Sequence, residues 1–217
     1  MLAWWALDDG QGTLAQDRSG NGFNGLLRGG ARFQSFGRVG SGSLALPALL
    51  RSSVEMPFVA IPEAETRALW VRTTSSLSAM SLLSYGRDEP GSQLAYEFRL
   101  LNGCPQAFVF DGLVAHSFGG PGQSAAVNDG LWHHVAFVRD SSNNAQLYVD
   151  AQLQGSRAGF TVGGLGLANS LDLGRRHVGQ QAALYYDGEL DDVRLYPASL
   201  SQMQMAELGK SCVGGFD

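Results

Sequence analysis

Charge is scarce in this chain. Asp, Glu, Lys and Arg together make up 16% of its 217 residues, and the net charge is -5. No stripe of basic residues interleaves with aromatics, which argues against nucleic acid as a partner. No apolar run approaches the length needed to span a membrane. Cysteine is almost missing: Cys104 and Cys212 leave one disulfide open and decide no redox compartment. No internal repeat and no domain boundary is visible. No secretory leader precedes "LAWWALDD", text that fits an intracellular protein or a start replacing a removed leader. No Ser/His/Asp or Cys/His grouping stands in a recognisable catalytic context. The glycines of "GSGSLALP" and "VGGLGL" lack a following helix, so they do not read as a phosphate cradle.

What is present is strand text. Hydrophobic residues reach 44%, a globular balance, and 29 glycines are scattered without a period, as many tight turns require. Short apolar runs such as "LAWWAL", "RALWVRTT", "LAYEFRLL" and "QAFVFDG" end at Gly, Pro, Asn or Asp. "WHHVAFVRD" and "AQLYVDAQLQG" flank "SSNN" and read as one hairpin. "ASLSQMQMAELGKSC" alone reads as helix, with Ser201 and Gln204 as a capping box, Leu200, Met203 and Leu208 on one side, and Gly209 as the C-cap. The pattern predicts an all-β, antiparallel two-sheet sandwich with one short C-terminal helix.

The run "DRSGNGFNG", Asp17 to Gly25, raises the first chemical question. Its glycines permit positive φ, and Asp17, Asn21 and Asn24 add side-chain oxygens. It is either a polar turn or half of an oxygen shell for calcium, a hard cation that takes about six to eight oxygens. The EF-hand spacing is missing. A second acidic run, "DGELDDVRLY", holds Asp187, Glu189, Asp191 and Asp192. If the first and last strands pair, Asp191 or Asp192 could complete that shell.

These runs carry a resemblance. "AWWALDDGQGTLAQDRSGNGFNGLL", "LWHHVAFVRD…AQLYVDAQ" and "YYDGELDDVRLYPASLS" resemble, in order, the opening, the central hairpin and the closing strand of laminin-G-like jelly-roll domains. Those domains belong to the concanavalin A-like lectin/glucanase superfamily. Ala151 stands where that family usually has glycine. The resemblance implies a jelly roll over residues 1–210, with 211–217 as a tail or the start of a linker. It implies a structural calcium ion held by Asp17 and Asp191, with Asn21 and Asn24 next, and with Asp192 on the solvent side or giving one backbone oxygen. It also implies an extracellular or secreted module within a larger protein.

For a ligand, loops are better candidates than the tryptophans, most of which read as core. Arg87, Arg175, Arg176, His177 and Tyr185 form the candidate patch for a carbohydrate or glycoprotein. The same residues also read as ordinary solvated loops. A hydrolase of the superfamily would need a third carboxylate after Glu189 and Asp191, and Val193 or Arg194 stands there. His133 and His134, adjacent on a strand, point to opposite faces and cannot easily chelate one ion. The reading is therefore a non-catalytic, lectin-like module. An adhesive or spacer module that binds protein is the alternative, and a glycoside hydrolase or lyase a third reading.

Overall fold

The computed structural model describes residues 1–90, 92–162, 167–178 and 181–210. In chain order the first strands are β1 (Ala3–Trp5), β2 (Leu14–Ala15), β3 (Gly25–Arg28), β4 (Arg32–Gln34), β5 (Ser43–Leu46) and β6 (Ser53–Met56). The middle strands are β7 (Glu65–Arg72), β8 (Ala79–Gly86), β9 (Ala95–Leu101), β10 (Cys104–Phe110), β11 (Ala115–Gly119) and β12 (His133–Arg139). The last are β13 (Ala145–Val149), β14 (Gln152–Arg157), β15 (Ser170–Leu173), β16 (Arg176–Val178), β17 (Gln181–Ala183) and β18 (Gly188–Tyr196). One α-helix, α1 (Gln202–Gly209), stands among the described residues.

The strands form two antiparallel sheets, as the sequence predicts. Sheet I runs β14-β13-β12-β7-β18-β5-β4, with β1 added on β18; sheet II runs β11-β10-β9-β8-β15-β6-β3-β2. β16 and β17 pair as a separate hairpin. The chain ends meet as expected, with Ala3 opposite Leu195 and Trp5 opposite Val193.

Strand alternation fixes which residues fill the core. On β7, Leu69 and Val71 join the core between the sheets, and Ala68 faces outward to α1. Trp70 therefore lies on the outer face of sheet I; it is buried, but not between the sheets. The helix begins at the expected capping box, Ser201 with Gln204. Its apolar contacts differ from the expected set. Met205 is buried with Leu200 and Leu208 beside it, while Met203 is 78% exposed. Gly209 is the last helical residue, and the cap is Lys210 in a right-handed conformation.

The β12–β13 hairpin forms, with Asn143 at φ 61° in its turn. Ala151 sits at φ 62° in the next turn, a left-handed conformation that costs an L-residue roughly 1–2 kcal/mol and suits the family's glycine. One end of the core is ionic. Glu65 accepts from Arg67 Nε at 2.9 Å, from Arg139 Nη2 at 2.9 Å and from the Tyr96 hydroxyl at 2.6 Å, all buried. Cys104 is buried, which raises its thiol pKa; Cys212, and so any bridge between the two, lies outside the described residues.

Candidate functional site

Sheet II places a polar row on its outer face. The register sets Glu55 opposite Asp172, Asp172 opposite Ser84, Ser84 opposite Glu97 and Glu97 opposite Phe108. Directly opposed residues share a face. The neighbours Val54, Leu171, Leu83, Tyr96 and Val109 fill the core, so this row points away from it. Two carboxylates directly opposite, Glu55 and Asp172, would repel. Arg175 resolves this by bridging them, at 3.0 Å to Glu55 Oε1 and 2.7 Å to Asp172 Oδ1. Arg176 Nε stands 3.0 Å from Glu97 Oε1. Glu97 is fully buried, and burial raises its carboxyl pKa despite Arg176 and Arg99. Arg99 holds Gln106 Oε1 and lies 4.0 Å over the Phe108 ring.

The expected ligand patch is partly assembled here. β16 runs against β8, β9 and β15, so Arg175 and Arg176 meet on the polar row. Tyr185 is half-buried and follows Leu184, whose carbonyl accepts from Ser81 N at 2.8 Å near the start of β8. Arg87 follows β8 at its other end and pairs with Glu89 at 2.6 Å. The side chain of His177 lies outside the described residues. The sequence missed Asp172 and Glu97, which sit in ordinary strand text; only the strand register brings them beneath the arginines.

The run from Asp17 to Gly25 folds around its own carboxylate. Asp17 Oδ1 accepts from Trp4 N at 3.0 Å and Ser19 N at 2.9 Å; Oδ2 accepts from Ser19 Oγ at 2.8 Å and Phe23 N at 3.0 Å. Burial alone would raise the Asp17 carboxyl, but these donors hold it below its usual value. Asn24 Oδ1 accepts from Asp17 N, and Asn21 Nδ2 donates to the Leu2 carbonyl. Asp17 bridges to Trp5, whose ladder partner on β18 is Val193. β1 thus stands between this loop and β18, and no hydrogen bond links Asp17 to Asp191 among the described residues. The expected shell of Asp17, Asn21, Asn24 and Asp191 shares no contact: β1 lies between the loop and β18, and the Asp17 carboxylate and Asn24 Oδ1 are given to N–H and O–H donors.

Of the two places expected for Asp192, on the solvent side or giving one backbone oxygen, the structure excludes the first. Asp192 is 4% exposed, sits at φ 50° in a bulge of β18, and binds Arg194 and the Trp4 indole.

Asp191 meets a different partner. Its Oδ2 accepts from Arg38 N at 2.6 Å and Val39 N at 2.8 Å. The same loop gives Ser41 N and Gly42 N to Asp8 Oδ1, at 2.8 Å and 2.6 Å. A Cβ on Gly37 would overlap the Gly42 carbonyl and crowd Asp191 Oδ2, and one on Gly40 would strike Asp8, so the loop packs closely on both carboxylates. Asp191 Oδ1 is buried with no hydrogen-bond partner. Burial pushes the Asp191 carboxyl up to about 7 against its two N–H donors, with Asp192 and Asp8 adding to the rise. An orphaned buried carboxylate oxygen beside a second carboxylate is what a hard cation would satisfy. Among the described residues no three His, Cys, Asp or Glu side chains converge, so such an ion would also need backbone carbonyls. Asp8 stands at the acidic end of the apolar run "LAWWAL", and nothing in the sequence marks it as a ligand.

Comparison with known proteins fits this architecture. A laminin G-type sequence profile of the Concanavalin A-like lectin/glucanases superfamily matches residues 40–206. The chain belongs to this superfamily. Domain 4 of AbnA, a GH43 extracellular arabinanase from Geobacillus stearothermophilus solved with arabinotriose, superposes with a TM-score of 0.72 at 18% identity, over 96% of this chain and 98% of that one. The CBM40 of a Ruminococcus gnavus IT-sialidase, solved with α2,3 sialyllactose, gives 0.60 at 20% identity over 68% of this chain and 83% of that one. A sushi, von Willebrand factor type A, EGF and pentraxin domain-containing protein of Rattus norvegicus is 31% identical over 93 residues, which span 40% of this chain and only 3% of that protein.

Proposed function

We propose that the chain is a non-catalytic glycan-binding module of a larger extracellular protein, braced by a calcium ion. The observation that carries the reading is the polar row on the outer face of sheet II. There Arg175 and Arg176 are held in place by Glu55, Asp172 and Glu97 rather than left as mobile loop residues. Pre-oriented planar groups suit recognition of sugar hydroxyls, because less side-chain freedom is lost on binding. The superfamily and the carbohydrate-binding neighbours support the same class. Arg87 and Tyr185 belong to the proposed patch through their loops, and His177 through its place on β16 beside Arg176.

Calcium would sit between Asp191 and Asp8 and tie β18 to the loop after β1, beneath the loop after β4. There it would neutralise a buried carboxylate and fix the rim. Three carboxylates share the outer face of sheet II: Glu55, half-exposed and paired with Arg28 and Arg175, and the deeper Asp172 and Glu97. Asp172 and Glu97 are buried and each of the three faces an arginine, whereas glycoside hydrolysis needs two carboxyls that reach the sugar. This disfavours the hydrolase reading. Titration of the folded protein with oligosaccharides, comparing wild type with Arg176→Ala, tests the patch. Arg176→Ala removes the partner of buried Glu97 and should lower the melting temperature; loss of binding at a temperature where the variant is shown to be folded supports the patch, and unchanged binding removes it.

A further inference from the structure

The adjacent histidines of "WHHVAFVRD" treat the proton in opposite ways. Burial pushes the His134 pKa down to about 4, so that ring is neutral at pH 7. Burial alone would lower His133 too, but the carboxylates of Asp150 and Asp129 raise its pKa above the ordinary 6.5.

The cause is geometric. His133 Nδ1 stands 2.7 Å from Asp150 Oδ2, and Nε2 stands 3.1 Å from Asp129 Oδ1. A carboxylate oxygen only accepts, and a neutral imidazole carries a single N–H. Both contacts are hydrogen bonds only when the ring is an imidazolium. A neutral ring must turn a lone pair towards one of the carboxylates.

The two carboxylates are not held alike. Asp150 lies in the β13–β14 turn, where its Oδ1 accepts from His134 N at 2.9 Å and its own N–H donates to the His134 carbonyl at 2.8 Å. Asp129 lies in the loop before β12, and its other donor is Leu131 N of the same loop, at 2.9 Å. The shorter and better anchored bond, to Asp150, keeps the last proton, so the bond to Asp129 is the one lost. Gly130 N, bonded to the Thr73 carbonyl at 2.9 Å, still pins the loop. The lost bond therefore frees Leu131 and Trp132, which wall a cleft of about 490 Å³ beside the end of α1. The other charges around this wall are engaged. Arg72 pairs with Glu189 at 2.6 Å and lies 5.0 Å over the Trp132 ring, Lys210 pairs with Glu207 at 2.9 Å, and the Arg38 guanidinium lies 4.4 Å over the Trp70 ring.

We propose that Asp129, His133 and Asp150 form a proton-operated latch. The charged ring ties the loop before β12 to the β13–β14 turn and holds Leu131 and Trp132 as the wall of the cleft. The neutral ring lets go of Asp129 and loosens that wall. The contribution of the latch to stability is present below pH 6.5 and is lost as pH rises through the folded pKa of His133, the opposite sense to His134. The latch needs no bound ligand and stands apart from the glycan-binding reading.

The test is a pH titration of the full chain in ¹H–¹⁵N spectra, with the His133 ring nitrogens and the Trp132 indole N–H read together. The signals are identified by their loss in His133→Gln and Trp132→Phe. The expected result is a His133 midpoint above 6.5, loss of the proton from Nε2 while Nδ1 keeps its own, and a Trp132 shift with the same midpoint. Asp129→Asn should lower the His133 midpoint and hold the Trp132 signal fixed, because an amide can accept from the charged ring or donate to the neutral one. His133→Gln should hold the Trp132 signal fixed at every pH. A His133 midpoint at or below 6.5 overturns the proposal. So does a Trp132 signal that ignores the wild-type midpoint, or one that moves equally in His133→Gln.

Discussion

The indole Nε1 of Trp4 donates to Oδ1 of Asp192 at 2.7 Å, joining residues 188 positions apart. The same carboxylate pairs with Arg194 at 2.9 Å, whose guanidinium lies 5.1 Å over the Trp4 ring. This knot fastens β1 to β18 on the outer face of sheet I. Asp192→Ala leaves a half-buried guanidinium and indole short of an acceptor, and should cost about 1–3 kcal/mol. A urea titration checks it, and an unchanged midpoint contradicts it.

The Glu65 cluster is more severe. Removing its charge leaves Arg67 and Arg139 buried without a counter-ion. Glu65→Gln should destabilise by about 3–5 kcal/mol, the usual range for a broken buried pair. Joint replacement of Glu65, Arg67 and Arg139 by apolar residues of similar size should recover much of that loss. Chemical denaturation of both variants measures the difference.

His134 sets an acid limit. Its folded pKa of about 4 lies below its unfolded value of 6.5, so its stabilising contribution is present above pH 6.5. That contribution is lost as pH falls from 6.5 towards 4, because the unfolded state binds the proton first. The full loss is about 3 kcal/mol. His134→Phe should flatten this part of the stability profile between pH 7 and pH 4. A profile as steep as that of wild type would remove His134 as the cause.

The proposed calcium ion separates Asp17 from Asp8 and Asp191. Asp17→Ala should lower the melting temperature, because four hydrogen bonds are lost, yet leave the calcium-induced rise intact. Asp8→Ala and Asp191→Asn should abolish that rise. At a hundredfold excess over its dissociation constant the ion adds about 2.7 kcal/mol. With the Asp191 carboxyl near 7, protons should compete with calcium as pH falls below that value. Calorimetric scans of the three variants with calcium and with chelator decide the assignment.

The sequence announced the sandwich plainly, because alternation, turn residues and a capping box are local signals. It placed the β12–β13 hairpin for the same reason, whereas the β1–β18 pairing, between residues at opposite ends of the chain, entered only as a condition. It could not show which oxygens of "DRSGNGFNG" face donors, since that depends on β1 lying between the loop and β18. Nor could it show that Trp70 faces α1 rather than the core, because Trp fits either face of a covered sheet. Asp172 and Glu97 stayed hidden because a shared face across five strands is a property of register, not of spacing in the chain.

Binding of the intact, folded chain to a broad panel of glycans and polysaccharides tests the central claim most directly. The panel is run with calcium and again with chelator, with Arg176→Ala alongside. The account predicts binding to one sugar class, loss of that binding in Arg176→Ala, and weakening in chelator as the rim loosens. A chain shown to be folded by calorimetry that binds no glycan under either condition contradicts it, and points to an adhesive or spacer domain.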